Sequence, residues 1–405
     1  TEIYSNSFKG CTSLLQINLP SSVSKIKSNA FEGCSSLRKI KIPSSLTVIE
    51  SSVFEGCSSL SQIEIPSSIT RIESKAFKGC ISLTKLVIPD SVEEIKFHAF
   101  MGCFSLAEVA IPNSITKIEA GIFDGCSSLR FVTIPKSVKE IGKSSFEGCS
   151  SMTRLNIPSS VTKIKSFAFK GCISLRLIQI PSTIDEFDNG LFKGCKSLTT
   201  IKIPESVITI KPESFKDCTS LIEVSIPSSV REIGRSTFEC CSSLYKVTFP
   251  DGLTKFCSDT FKDCKALKEI KIPSSVVELE SGAFEGCSSL ADFRVPSSVT
   301  KIGSSCFSRC SSHVEFSIPS SVNSIGIRVF KDCTSLVKVS IPSSISSIRD
   351  EMFMGCTSLN DIKIPDSVTF IGRSAFQDCS SLEHLDIPKS VESIQKYAFD
   401  GCKFY

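Results

Sequence analysis

Tryptophan is absent from this 405-residue chain, and histidine, methionine and tyrosine are scarce, at three, four and four residues. The histidines, His98, His313 and His384, lie far apart in the sequence. No compact Ser-His-Asp or Cys-His arrangement can be assembled among them, and no glycine-rich phosphate loop is present, so no enzymatic activity is expected. No run of about 18 apolar residues occurs, so no membrane-spanning helix is expected in this chain. An excess of one charge is also missing: 46 basic residues face 42 acidic ones, for a net charge of +4. Nucleic-acid binding needs a concentrated basic face, and this balance gives no push towards it. There is no initiating Met and no secretory leader, and Thr1 stands just before Ile3, a position that Ile26 fills one period later. The chain is therefore expected to be a piece of a longer protein. Linker-like composition is lacking too, and one continuous domain over residues 1–405 is expected in place of the two or three that length alone suggests.

What is present is a period. Eighteen cysteines recur 23 residues apart from Cys11 to Cys402, eighteen phenylalanines from Phe8 to Phe399, and seventeen prolines from Pro20 to Pro388. A fixed period of this length marks a solenoid, in which each repeat is one structural unit stacked on the next.

One repeat shows the local logic. Leu37-Arg38-Lys39-Ile40-Lys41-Ile42 alternates around Ile40 and Ile42, the pattern of a half-buried strand. Pro43 ends it, because proline cannot donate to a ladder. Leu46-Thr47-Val48-Ile49 is a second short extended segment with two inward apolar residues. The return passes through a turn or short helical stretch bearing Ala30-Phe31. Glycine precedes the column cysteine in 12 of 18 repeats, with aspartate at Asp217, Asp263, Asp332 and Asp378. Both types tolerate positive φ, so a left-handed residue is expected there. Cys240 and Arg309 suit that position poorly and predict locally altered turns. Ser36 and Ser45 belong to serine-rich columns whose hydroxyls can bond backbone groups.

A lone repeat cannot fold. Burying its six large apolar side chains contributes roughly 10–18 kcal/mol. Ordering the backbone of 23 residues costs roughly 23–46 kcal/mol. Stacking buries both faces of each repeat and completes the backbone ladders. Parallel strands about 4.8 Å apart would then form an arc roughly 80 Å long.

The consensus Leu-x-x-Ile-x-Ile-Pro-x-Ser-Val-x-x-Ile-x-x-x-Ala-Phe-x-Gly-Cys-x-Ser resembles the BspA-like, Treponema pallidum-type, leucine-rich repeat family over essentially the whole chain. The resemblance implies a leucine-rich-repeat solenoid. Its form would be a right-handed superhelix with a parallel concave β-sheet, short second strands, short helical turns and about 17–18 repeats. It also implies a surface or secreted protein linked with adhesion and host-protein binding, and no catalytic residues.

Twenty-one cysteines raise the question of disulfides or metal. Neighbours in a parallel stack point the same way, whereas a disulfide needs converging Cβ atoms about 3.8 Å apart. Reduced thiols used as small buried apolar groups are therefore expected. Cys240, Cys257 and Cys306 stand outside the column. Cys306, Cys310 and His313 imitate a metal cluster, yet Cys310 is a column residue and His313 replaces an inward leucine. Without a fourth ligand no metal is expected, and no cofactor. A degenerate repeat with a poorly filled core is the expectation there, the weakest point of the stack.

The outward positions beside the inward strand residues vary while the framework stays fixed, which marks a recognition surface. Repeats one to eight carry Arg38, Lys39, Lys41, Lys85, Arg130, Arg154 and Arg176 there against Glu64 and Glu108, a balance of +5. Repeats ten to seventeen net −1, with Asp292 among their acids. Arg130, Phe131, Arg154, Arg176 and Leu177 come from three consecutive repeats and form the main expected protein-binding patch, an aromatic ringed by arginines. Tyr245, near Ile222, is a second one. The leading expectation is a non-catalytic binding solenoid at the cell surface, with a host cell-surface or matrix protein as partner. The alternative is an intracellular or assembly scaffold that self-associates. Unpaired thiols suit a reducing compartment, and the eight asparagines form no Asn-x-Ser/Thr site. At the carboxy end, Lys403-Phe404-Tyr405 departs from the Ser-Leu continuation.

Overall fold

Strands of two or three residues hold only when laid against their equivalents in the next repeat, and the register follows the 23-residue period. In the computed structural model, which describes residues 1–291 and 293–403, the chain divides into two units, Thr1–Ser206 and Val207–Tyr405. Asp292, Phe404 and Tyr405 lie outside the described residues. Each unit is a parallel-strand β-solenoid. In the first unit, the strand Lys39–Lys41 pairs with Gln62–Glu64 so that Ile40 meets Ile63, and Val48–Ile49 pairs with Arg71–Ile72. In the second unit, Glu223–Ser225 pairs with Lys246–Thr248, and Glu278–Leu279 with Lys301–Ile302. The alternation read from sequence is the burial pattern observed: Ile40 and Ile42 are buried and Lys39 and Lys41 exposed. Leu46 and Ile49 point inward from the second segment, as their spacing requires.

Identical side chains stack in register inside each unit. The rings of Phe8, Phe31, Phe54 and Phe77 follow one another with centroids 5.0–5.8 Å apart and planes within 20°. In the second unit Phe215, Phe238 and Phe261 repeat this at 5.4 Å. Offset stacking of this kind adds about 0.5–1.5 kcal/mol per pair beyond buried area. Column serines donate across turns: Ser91 Oγ to the Ile69 carbonyl at 2.8 Å and Ser229 Oγ to that of Val207 at 2.6 Å. Their acceptors therefore lie in the preceding repeat.

The short helical turns expected between the strands do not form: among the described residues these segments are successive turns. Their hydrogen bonds explain why. Ala30, Glu32 and Cys34 donate to the residue three earlier, but Asn29, Phe31 and Gly33 donate to Ser51, Val53 and Glu55 of the next repeat. Half of the N–H groups that a helix would use internally are committed between turns. The chain achieves this with two left-handed residues per repeat, Asn29 (φ 61°) and Gly33 (φ 72°) in this one. The glycine/aspartate position is left-handed as expected. Cys240 and Arg309 occupy it at φ 61° each, and their N–H groups bond Lys262 and Arg309's equivalent acceptor Lys331 as the glycines bond theirs. The turns at Cys240 and Arg309 are thus not altered. The tertiary ladder holds these residues in a conformation that costs roughly 1–2 kcal/mol for a side-chain-bearing residue.

Around His313 the core is better filled than a missing leucine predicts. Phe293 and Phe316 bring their rings to 6.5 and 5.2 Å from the imidazole, and Phe307 and Phe330 close the layer. The void left between them and Leu290, Cys310 and Leu336 is about 10 Å³, close to the volume of one water probe.

Candidate functional site

None of the 21 cysteines is in a disulfide, and the column thiols from Cys34 to Cys379 are buried while Cys11 is exposed. Cys57 Sγ donates to the Phe31 carbonyl at 3.2 Å, and that same oxygen accepts the N–H of Cys34. In the second unit, Cys241 Sγ repeats the bond to Phe215 at 3.1 Å. Burial pushes the Cys57 thiol up to about 12, since a thiolate would be stranded in an apolar layer beside a carbonyl oxygen. Cys80, Cys126 and Cys264 are raised for the same reason. Such thiols are poor nucleophiles and poor ligands. Among the described residues no group of three or more His, Cys, Asp or Glu could hold a metal ion, Cys306, Cys310 and His313 included. No helix among them is long and apolar enough to cross a membrane.

The surface charges are distributed unequally between the faces. On the second strands and the turns many of them pair, although Lys139, Lys143 and Lys163 stay exposed without an ion pair among the described residues. In the first unit Lys96 pairs with Glu94 at 2.9 Å, Lys117 with Glu119 at 3.1 Å and Lys170 with Glu147 at 2.7 Å. In the second unit Lys301 pairs with Glu278 at 2.7 Å, Lys262 with Glu285 at 3.1 Å and Arg328 with Glu351 at 2.8 Å.

The first-strand face of residues 1–206 is different. Arg38, Lys39, Lys41, Lys85, Arg130, Arg154 and Arg176 are all exposed there, and among the described residues none makes an ion pair. Phe131 and Leu177 are 54% and 55% exposed. Phe131 opens the strand Phe131–Thr133, and Arg154 opens Arg154–Asn156 one repeat on. Leu177 is the register partner of Arg154 on the next strand. The outward column therefore reads Phe131, Arg154, Leu177, with Arg130 and Arg176 one position earlier in the two outer repeats. Glu108, paired in register with Phe131, is the one acid in the adjoining outward positions. All five residues read from sequence as a patch are exposed, and three of them, Phe131, Arg154 and Leu177, hold the same position in successive repeats.

Tyr245 belongs to the second unit and stands apart as a smaller site. It is 43% exposed, its N–H bonds the Ile222 carbonyl at 2.7 Å, and Lys268 Nζ lies 5.7 Å from its ring centroid. That cation–π partner was absent from the sequence reading, although its position one repeat after Tyr245 would have suggested it. The same face of the second unit does contain an ion pair, Lys338–Asp361 at 2.5 Å. Exposed Ile81 and Phe104, one repeat apart, also escaped the sequence reading because most repeats carry serine or threonine there.

The comparisons with known proteins agree with this architecture. None of the curated proteins compared matches the chain. A leucine-rich repeat protein from Bacteroides ovatus shares 29% identity with it, over 100% of this chain and 86% of that one, with a TM-score of 0.60. A leucine rich cell surface protein from Faecalibacterium prausnitzii shares 30% identity over 77% of this chain and 87% of its own, with a TM-score of 0.55. The family model for the BspA type leucine rich repeat region, in six copies, matches residues 1–130, 70–199, 186–314 and 301–405. This chain belongs to the BspA-type leucine-rich repeat family.

Proposed function

We propose that this chain is a non-catalytic binding solenoid of the cell surface that engages a host or matrix protein through its first-strand face at Phe131. One observation carries the reading: many charges of the second strands and turns pair with one another, whereas three arginines without an ion pair among the described residues are grouped with an exposed phenylalanine and leucine. Side chains of these types, grouped on one face, have the composition of binding hot spots. The cell-surface description of the similar Faecalibacterium prausnitzii protein supports the location.

The test is surface plasmon resonance of the chain against a panel of purified matrix proteins, joined to impermeant labelling of intact cells. Binding by the parent should weaken roughly thirtyfold or more in the Phe131→Ala, Arg154→Ala double variant, as loss of two hot-spot side chains implies. Equal binding by parent and variant, or no binding at all, overturns the proposal. The free buried thiols favour a second reading, an intracellular scaffold. Cells that exclude the label while containing the protein would decide for it.

A further inference from the structure

The chemistry of the patch also specifies what it receives. We propose that the first-strand face binds an acidic segment of a partner protein in extended form, its carboxylates on Arg130, Arg154 and Arg176 and its apolar side chains on Phe131 and Leu177. This rests on the reading of that face as the binding surface and adds the identity of the occupant.

Three features argue for it. The first is charge left over. At many other places the fold sets an acid one repeat from a base, as with Lys170 and Glu147 at 2.7 Å. Around these arginines Glu108 is the one acid among the described outward neighbours and Lys202 of the next repeat adds a further base, so the positive charge is left over until an anion is supplied. Arginine is also the side chain whose fork matches a carboxylate in bidentate fashion.

The second is spacing. Arg130 and Arg176 are two repeats apart, about 10 Å at the usual separation of parallel strands. A segment in the polyproline II form covers about the same distance with three residues at about 3.1 Å each, and its side chains three residues apart share one face. A segment with acids three residues apart and apolar residues between them therefore reaches both arginines while crossing Phe131 and Leu177.

The third separates a peptide from a nucleic acid. A leucine offers no face for base stacking, and the basic positions are interrupted by Glu64 and Glu108, where a phosphate backbone would need a continuous track. Aliphatic and aromatic contacts set among arginines suit a segment that alternates acids with large apolar residues.

The experiment is fluorescence anisotropy with the full 405-residue chain and a labelled twelve-residue peptide carrying Glu at every third position and Leu or Phe between. The comparison probes have Lys in place of Glu, Ser in place of Leu and Phe, or are a thymidine 12-mer. The acidic apolar peptide should bind tightest, and Arg154→Glu should weaken it at least tenfold, about 1.4 kcal/mol. Lys163→Glu, an equal charge change on the exposed second strand of the same repeat, should leave binding within twofold. Arg130→Gln with Arg176→Gln gives an independent loss if Arg154→Glu melts early. Tighter binding of the basic peptide or the thymidine 12-mer overturns the proposal, as does indifference to both arginine variants. If no peptide binds while a matrix protein still binds in a Phe131-dependent way, the acidic occupant is wrong and the binding face stands. Loss of both removes the face as well.

Discussion

Raising the pH should unfold this protein well before its lysines titrate. In the first unit the column thiols from Cys57 to Cys172 are all pushed upward by burial, Cys57 and Cys172 to about 12, from an ordinary value of 9.0. Below pH 9 folded and unfolded chains both hold these protons. Between pH 9 and about 12 the unfolded chain releases them and the folded chain does not, so unfolding is favoured as pH rises. Each thiol loses about 1.4 kcal/mol of stabilisation between pH 8 and pH 10. Six of them lose about 8 kcal/mol, against about 5–15 kcal/mol for the whole stability of an ordinary domain. The assay is urea unfolding followed by far-ultraviolet circular dichroism, with reductant present, at pH 8, 9 and 10. The midpoint should fall steeply and approach zero denaturant near pH 10. Replacing Cys126 by alanine should reduce the pH slope by one proton's worth. A midpoint at pH 10 equal to that at pH 8, or a slope unchanged in Cys126→Ala, would refute the buried column.

Phe146→Ala removes a fully buried ring stacked 5.6 Å from Phe123 and 5.9 Å from Phe169, and should cost about 3–5 kcal/mol by urea titration. Because repeats couple only to neighbours, it should also split a single transition into two, visible by hydrogen exchange on either side of the repeat. Gly190→Ala would set a Cβ 2.3 Å from the Phe167 ring at φ +56°, and should cost more than the roughly 1–2 kcal/mol of the left-handed conformation alone. In a Phe167→Ala background the excess should vanish, and a double-mutant cycle measures the difference.

The family, the register and the inward residues were legible in the sequence because a 23-residue period repeats one physical solution many times. Ile40 beside Ile63 and Phe31 beneath Phe54 follow from counting alone. The proposed patch was half legible: Phe131, Arg154 and Leu177 share a column, but a sequence cannot show that the arginines make no ion pair.

Three matters were decided only in the folded chain, since each depends on groups a full turn apart. The column cysteine looks like a small apolar residue until its Sγ is found donating to a carbonyl 26 residues earlier. The second left-handed position holds Lys75, His98, Phe167 and Tyr397 as readily as Asn29, so its composition conceals its φ. There the ladder between turns, not the side chain, fixes the backbone. The charges of the second strands look like an exposed mixed surface until stacking sets acid beside base. The sequence determined what stacks; the stack determined which groups are left over for a partner.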